Sequence, residues 1–455
     1  MRAQAWFAAA LGATLAVGCA AKVANVPDHG DAAPMGPTDA STTTEAGSPA
    51  VVTIDTGTEH QTMDGFGASD AFSGKALSAA QVSAFFDPTN GIGLSLLRIG
   101  IDASGATLGA GAYADAMAAH AFGVRVWAAP WSPPGADKSN GSEIDGGTLD
   151  QSAYASWASA LAGFATTFQQ TTGFPLYALS AQNEPDFTAP YPSCLYSPSQ
   201  MAAFVKVLGP QLASLTPPVL LLAPEPDVWD ELWGDNGYGT ALLGDSAASA
   251  AIGIMATHDY GHMNDAVPTR PPPPAGLGQP LWETEVSDET AADVDIGHGI
   301  EVAIWIYAAV TTGGASAWHY WQLVNGNMTD GEGLLASTGD LTNPPKRLYT
   351  VGNFSKFVRP GYVRVDTNGG VPPDVWIVSF QNPADGTLAV VAINAGMTDV
   401  PLAATVGATP SPAEVTPWLT SATDNLAAQA PIALSAGTFQ ATLAAQTVTT
   451  FVGTP

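Results

Sequence analysis

In Leu176-Tyr177-Ala178-Leu179-Ser180-Ala181-Gln182-Asn183-Glu184-Pro185-Asp186, a short apolar run gives way to amides, a carboxylate and a proline. The run has the length and composition of a buried strand, and Pro185 ends it by turning the chain outward just after Glu184. The same pattern recurs along the chain. Strands are expected at Leu94–Ile99, Val124–Ala129, Leu176–Ala181, Val219–Leu222, Ile252–Thr257, Leu281–Glu285 and Ala315–Trp321, with an eighth near Gly65–Ala68. Ala-rich helical stretches such as Tyr154–Gln169 and Ser199–Ala213 fall between them. Repeated βα units make this an α/β chain, and eight of them over residues 61–350 predict a (β/α)8 TIM barrel. A doubly wound sheet is the alternative, but no Gly-rich phosphate loop follows any strand.

Beyond residue 350 the helical texture stops. Val375–Phe380, Leu388–Asn394 and Thr447–Val452 are β runs separated by Pro, Gly, Asn and Asp, so residues 351–455 are expected to form an attached antiparallel β-sandwich. Residues 50–60, with Val51–Asp55, are expected to join it as a strand. Residues 1–18 read as a secretory signal, with Arg2 ahead of an apolar run from Ala5 to Val17. Leu15-Ala16-Val17-Gly18-Cys19 resembles a bacterial lipobox, which makes Cys19 the candidate lipidation site and residues 19–49 a flexible tether. The expected location is therefore outside the cell or at its surface, with a lipid at Cys19 as the only membrane attachment. Cys194 is left as a lone thiol and reads as a small buried side chain.

Lys plus Arg number 13 against 41 Asp plus Glu, so the 455-residue chain carries a formal charge of −28. Such a chain is repelled by phosphate backbones, which excludes nucleic acid as a partner. Hydrophobic residues at 46%, with 12 Trp, are ample for a large core. A monomer is expected.

In a barrel, residues at the C-terminal strand ends build the site. Here these are Arg98, Trp131, Asn183, Glu184, His258, Tyr260, Glu285 and Trp321. Glu184 and Glu285 fall on the fourth and seventh strands, which can face each other across the mouth. Two facing carboxyls suit glycoside hydrolysis, in which one gives a proton to the leaving oxygen and the other attacks the anomeric carbon. Bases that would pair with them as plain structural ions are scarce. No cofactor and no metal are expected. His258 and His262 have ligand-like spacing but lie at a strand end with Gly261 between them, and the calcium-like run Asn325–Glu332 lacks the full ligand pattern. Trp229 and Trp233 read as core rather than as a sugar platform, and no Gly-x-Ser-x-Gly elbow is present.

Several motifs together resemble glycoside hydrolase family 30. They are Asp64-Gly65-Phe66-Gly67-Ala68, Leu94-Ser95-Leu96-Leu97-Arg98-Ile99, Ala129-Pro130-Trp131-Ser132-Pro133-Pro134, Ala181-Gln182-Asn183-Glu184-Pro185-Asp186 and Leu281-Trp282-Glu283-Thr284-Glu285-Val286. Lys346-Arg347-Leu348-Tyr349 and the run Asn353–Tyr362 extend the match, which covers residues 50–455. The resemblance implies a barrel with an attached sandwich and a retaining mechanism, with Glu184 as acid/base and Glu285 as nucleophile; Glu283 is the rival nucleophile. It further implies that Asn183 holds the hydroxyl beside the reacting carbon, Tyr260 orients the nucleophile, and Trp131 and Trp321 wall the innermost subsite. The long C-terminal match is similar to the bacterial xylanase branch, subfamily 8. Members of that branch that require glucuronic acid carry a basic residue just after the eighth strand, where this chain reads Trp321-Gln322-Leu323-Val324-Asn325-Gly326. The expectation is thus an endo-β-1,4-xylanase acting on xylan or related hemicellulose without strict dependence on glucuronic acid. A β-1,6-galactanase or β-1,6-glucanase is the alternative, and a non-catalytic polysaccharide-binding surface lipoprotein is the alternative from another class.

Overall fold

Strand β1 (Ala50–Thr62) leads directly into an eight-stranded parallel barrel. Its strands are β2 (Gly65–Ser69), β3 (Leu96–Ile101), β4 (Arg125–Pro130), β5 (Ala178–Ser180), β6 (Leu220–Pro224), β7 (Ile254–His258), β8 (Leu281–Glu285) and β9 (Ala317–Val324). They pair in chain order, and β9 closes the ring against β2 and β8. The computed structural model describes residues 49–263, 268–289, 293–326, 330–407 and 411–455. The signal segment, Cys19 and, apart from Pro49, the tether lie outside the described residues. Among the described residues no helix is long and apolar enough to cross a membrane.

The eight expected strands are all present, displaced by up to three residues. The last one departs most in its consequence: it continues past Trp321 to Val324 because β10 (Gly333–Leu335) lies alongside it, with Gly333 opposite Gln322. Gln322–Val324 therefore lie within the strand, not beyond it. The helices follow their local signals. Ser78 with Gln81, and Ser197 with Gln200, form capping boxes that start Ala79–Phe86 and Pro198–Ala213. Tyr154–Thr172 buries Trp157, Leu161, Phe164 and Phe168 at helical spacing and stops at Gly173, whose φ of 84° suits a left-handed cap.

The second sheet comprises β11 (Val363–Gly370), β12 (Val375–Gln381), β13 (Leu388–Asn394), β14 (Val400–Val406), β15 (Glu414–Thr420), β16 (Ala427–Ala428), β17 (Ile432–Ala433), β18 (Thr438–Leu443) and β19 (Thr447–Gly453). It curls into the attached sandwich in the order β16-β15-β19-β13-β12-β11-β1-β14-β18. One pair departs from the antiparallel pattern: β1 runs parallel to β14. Helix Lys346–Ser355 runs across position 350 and packs on both parts; its Asn353 donates to the Trp418 carbonyl and to Thr450 at 3.0 Å each. One continuous buried cluster joins barrel residues such as Phe66, Val351 and Phe354 to Val378, Phe380, Val391 and Val448 of the sheet.

The barrel interior is a column of aromatic side chains. Trp282 stacks on Tyr177 at 5.9 Å and donates to Asp64 at 2.9 Å. Above them, Trp127 donates to His319 Nε2 at 3.1 Å. That filled interior seats the polar layer at the mouth.

Candidate active site

Arg98, expected at a strand end, lies within β3, two residues into the strand, and is fully buried at the centre of the polar layer. Its guanidinium donates to Glu285 Oε2, to Asn183 Oδ1 at 2.5 Å and to Glu225 Oε1 at 2.8 Å. Trp131, Trp127 and Trp321 flank its planar face at 4.7, 5.2 and 5.7 Å. Burial disfavours the cation, but Glu225 and Glu285 outweigh it and the guanidinium is held firmly charged. Tyr260 donates to the other oxygen of Glu285 at 2.9 Å. Glu285 thus accepts from a different donor on each carboxylate oxygen.

His258, at the end of β7, spans the two expected carboxyls. Its Nδ1 lies 3.2 Å from Glu184, and its Nε2 lies 3.6 Å from Glu285 and 3.4 Å from Glu225. Burial would keep the ring neutral, but the three carboxyls together push its pKa well above the usual histidine value. Two cations, Arg98 and His258, therefore face three carboxyls. The third carboxyl is Glu184, pushed up to about 7 by burial foremost and then, against the opposing hydrogen bond from His258, by the charges of Glu285 and Asp227. The arrangement sets a carboxyl with a raised pKa on one side of the mouth and an ion-paired carboxyl on the other.

All eight expected residues converge here. Trp131 and Trp321 lie 5.8 Å apart, and Phe72 meets Trp131 edge-on at 5.3 Å to complete an aromatic wall. Glu283 lies one layer deeper and is fully buried. Its two oxygens accept the backbone N–H groups of Glu285 and His319 at 2.8 Å each, so it braces the strand that carries Glu285.

Three participants were not singled out in the sequence. Glu225 sits just past β6 and accepts from Ser180 as well as Arg98; burial pushes its carboxyl up, but Arg98, His258 and Ser180 together outweigh this and hold it below the usual range. Asp227 lies beside Glu184 and His258, and Phe72 supplies part of the wall. A signal for the first two was present: Glu225-Pro226-Asp227 repeats Glu184-Pro185-Asp186 one strand on. The two turns interlock, Glu184 N–H donating to the Glu225 carbonyl at 3.1 Å and Asp227 N–H to the Asp186 carboxylate at 2.9 Å. Both glutamates take left-handed backbone, φ 46° and 70°, a strained geometry that aims their side chains inward.

Glu184, Asp227 and His258 each offer one ligand atom, all within 4.8 Å of one another. Both His258 nitrogens, however, already face carboxyls. His262 turns away and pairs with Asp230 at 3.2 Å. In the calcium-like run, Asn325 donates to Asp330 at 2.7 Å, while residues 327–329 lie outside the described residues. Trp229 is buried, as expected of core, and burial pushes the Cys194 thiol up to about 12, which makes it inert.

Residues 361–451 match the model of the glycosyl hydrolase family 30 beta sandwich domain. The chain is 31% identical over 414 residues to the glucuronoxylanase XynC of Bacillus subtilis, covering 88% of this chain and 91% of that one. It belongs to glycoside hydrolase family 30. Two solved xylanases superpose on it. The family 30 subfamily 8 xylanase Xyn30A from Clostridium acetobutylicum does so with TM-score 0.76 at 31% identity, covering 89% of this chain and 99% of that one. The catalytic domain of xylanase C from Talaromyces cellulolyticus matches with TM-score 0.76 at 25% identity, covering 89% and 100%. This family 30 member is accordingly an endo-xylanase-like glycoside hydrolase, built as a TIM barrel with an attached β-sandwich.

Proposed function

We propose that the protein is a retaining endo-β-1,4-xylanase that accepts, but does not require, glucuronic acid branches. The observation that carries this is the unequal treatment of two carboxyls bridged by one imidazole: Glu184 is held near pKa 7, while Glu285 accepts from Arg98 and Tyr260. Glu184 then protonates the leaving oxygen as Glu285 attacks the anomeric carbon, forming a glycosyl-enzyme ester. Glu184, now ionised, takes a proton from the water that opens that ester, and its own proton is restored. Asn183, held by Arg98, faces the hydroxyl beside the reacting carbon. Trp131, Trp321 and Phe72 wall the glycone side.

Independence from glucuronic acid is supported at β9. Gln322 accepts from Gly326 N–H at 3.0 Å and reaches the Ala71 carbonyl at 3.4 Å, and neither the end of β9 from Trp321 to Val324 nor Asn325 and Gly326 after it supplies a basic side chain. The cavity beside it, about 320 Å³, has Lys75 as its one basic lining residue, exposed on a loop. A flexible exposed ammonium adds weak attraction for a uronate rather than a forked, obligatory clamp. Export and lipid attachment at Cys19 complete the proposal, since a xylan-cleaving enzyme meets its polymer outside the cell.

The test is parallel product analysis on glucuronoxylan, linear xylan, β-1,6-galactan and β-1,6-glucan. Comparable internal cleavage of both xylans is expected. Activity confined to β-1,6-linked glycans overturns the substrate, and tight xylan binding without release of reducing ends supports the non-catalytic reading. Glu285→Gln should lower turnover at least about a thousandfold with folding intact, since removal of the nucleophile leaves only binding and electrostatic contributions.

A further inference from the structure

Large apolar side chains exposed to solvent are few among the described residues, and three of them share one place. Ile144 is 39% exposed, Phe187 41% and Tyr191 39%. Ile144 lies on the loop after β4, and the other two lie on the loop after β5, just past Glu184. These loops are laced together. Asp145 N–H donates to the Ala189 carbonyl at 2.8 Å, Ser193 N–H to Glu143 at 3.0 Å and Leu195 N–H to Gly147 at 2.7 Å. The buried Lys138 ammonium clamps the junction, donating to the Ser193 carbonyl at 2.5 Å and to Ser132 Oγ at 3.0 Å. Phe187 N–H bonds back to the Glu184 carbonyl at 3.2 Å, which ties the aromatic position to the acid itself. Tyr191 follows Glu184 by seven residues on the same loop, and its neighbour Pro192 is bridged to Ile144.

An exposed apolar cluster on a hydrogen-bonded scaffold has no folding role to explain it, and such patches mark binding sites. Its position fixes what it meets. In the proposed mechanism the glycone lies against Trp131, Trp321 and Phe72, which puts the departing sugar over Glu184 and the loop that follows it. We propose that Phe187 and Tyr191 form an aglycone-side shelf on which an uncharged pyranose of the departing chain stacks through its apolar face. Asp186 and Asp227 border the same side, so a uronic acid substituent there meets like charge. The laced loops keep the rings in place before substrate arrives, which limits the ordering cost of binding. The shelf rests on Glu184 being the acid of the proposed mechanism.

The experiment compares kcat/KM on xylohexaose, which places sugars beyond the cleaved bond, with kcat/KM on an aryl xylobioside, which does not. For Tyr191→Ala, and separately Phe187→Ala, the oligosaccharide-to-aryl ratio should fall about tenfold, with the loss carried by KM. Tyr191→Trp should restore most of it. Phe122→Ala, an equally exposed ring remote from the mouth, should leave both substrates at the wild-type level. A ratio within twofold of wild type in both alanine variants overturns the shelf. If wild type cleaves neither xylose substrate, the xylan assignment fails separately, and the same ratio is read on a β-1,6-gluco-oligosaccharide against an aryl β-glucoside.

Discussion

Arg98 sets the charge balance of the site. It is the one guanidinium that reaches Glu285, Asn183 and Glu225 together, and all of it is buried. Lysine keeps the charge but not the planar fork, so Arg98→Lys leaves at least one buried acceptor uncompensated. The expected loss is about 3 kcal/mol in denaturant unfolding, the low end for a broken buried pair, with turnover falling in parallel. A second residue-scale prediction concerns pH. In the proposed mechanism Glu184 must be protonated to donate, and its pKa lies near 7, so kcat/KM should fall as pH rises through about 7. Asp227 adds like charge to Glu184; Asp227→Asn removes it and should move that alkaline limb to lower pH. A limb that stays put in the pH–rate profile shows that Asp227 does not act on Glu184.

At the scale of the element, the barrel strands carry demands that their own sequences barely express. A Cβ at Gly67 of β2 would lie 2.4 Å from the His319 ring and 2.8 Å from the Leu96 carbonyl oxygen. The ring cannot retreat, because Nδ1–H donates to the Glu283 carbonyl at 2.8 Å while Nε2 accepts from Trp127. Burial pushes the His319 pKa down to about 3, consistent with that neutral tautomer. Gly67→Ala should therefore cost roughly 1–3 kcal/mol by overpacking, measured by denaturant unfolding, and should slow turnover because Glu283 braces Glu285. Strand existence was legible from apolar runs, but strand ends were not, since pairing partners decide them. Val219–Leu222 reads as a complete strand, yet β6 continues to Pro224 and delivers Glu225 to the site. The repeated Glu-Pro-Asp was the available clue.

Across the whole molecule, barrel and sandwich are parts of one body. They share a buried cluster and the helix Lys346–Ser355, and β1 reaches the sheet before the barrel begins. A single cooperative unfolding transition is expected in calorimetry, and a chain truncated before β11 should fail to fold because Phe66, Val351 and Phe354 lose their cover. Two separated transitions would contradict this. The scarcity of bases acquires a meaning at this scale too. Arg98, Lys138, Arg270 and Arg347 are buried, so part of the small positive complement is internal and the surface is left strongly acidic.

The amino-acid order by itself determined the eight-strand periodicity, the change to β texture after the barrel, and the two glutamates at the ends of the fourth and seventh barrel strands. Those features are local: run length, turn chemistry and residue type record them. Only the tertiary structure decided that Arg98 serves three acceptors, that His258 bridges the carboxyls, that Glu225 and Asp227 complete their charge balance, and that Glu283 is a brace for its neighbour. These roles depend on which strand ends meet when the barrel closes. Charge–charge coupling in a buried layer acts over a few ångströms of space, between residues up to 187 positions apart in the chain.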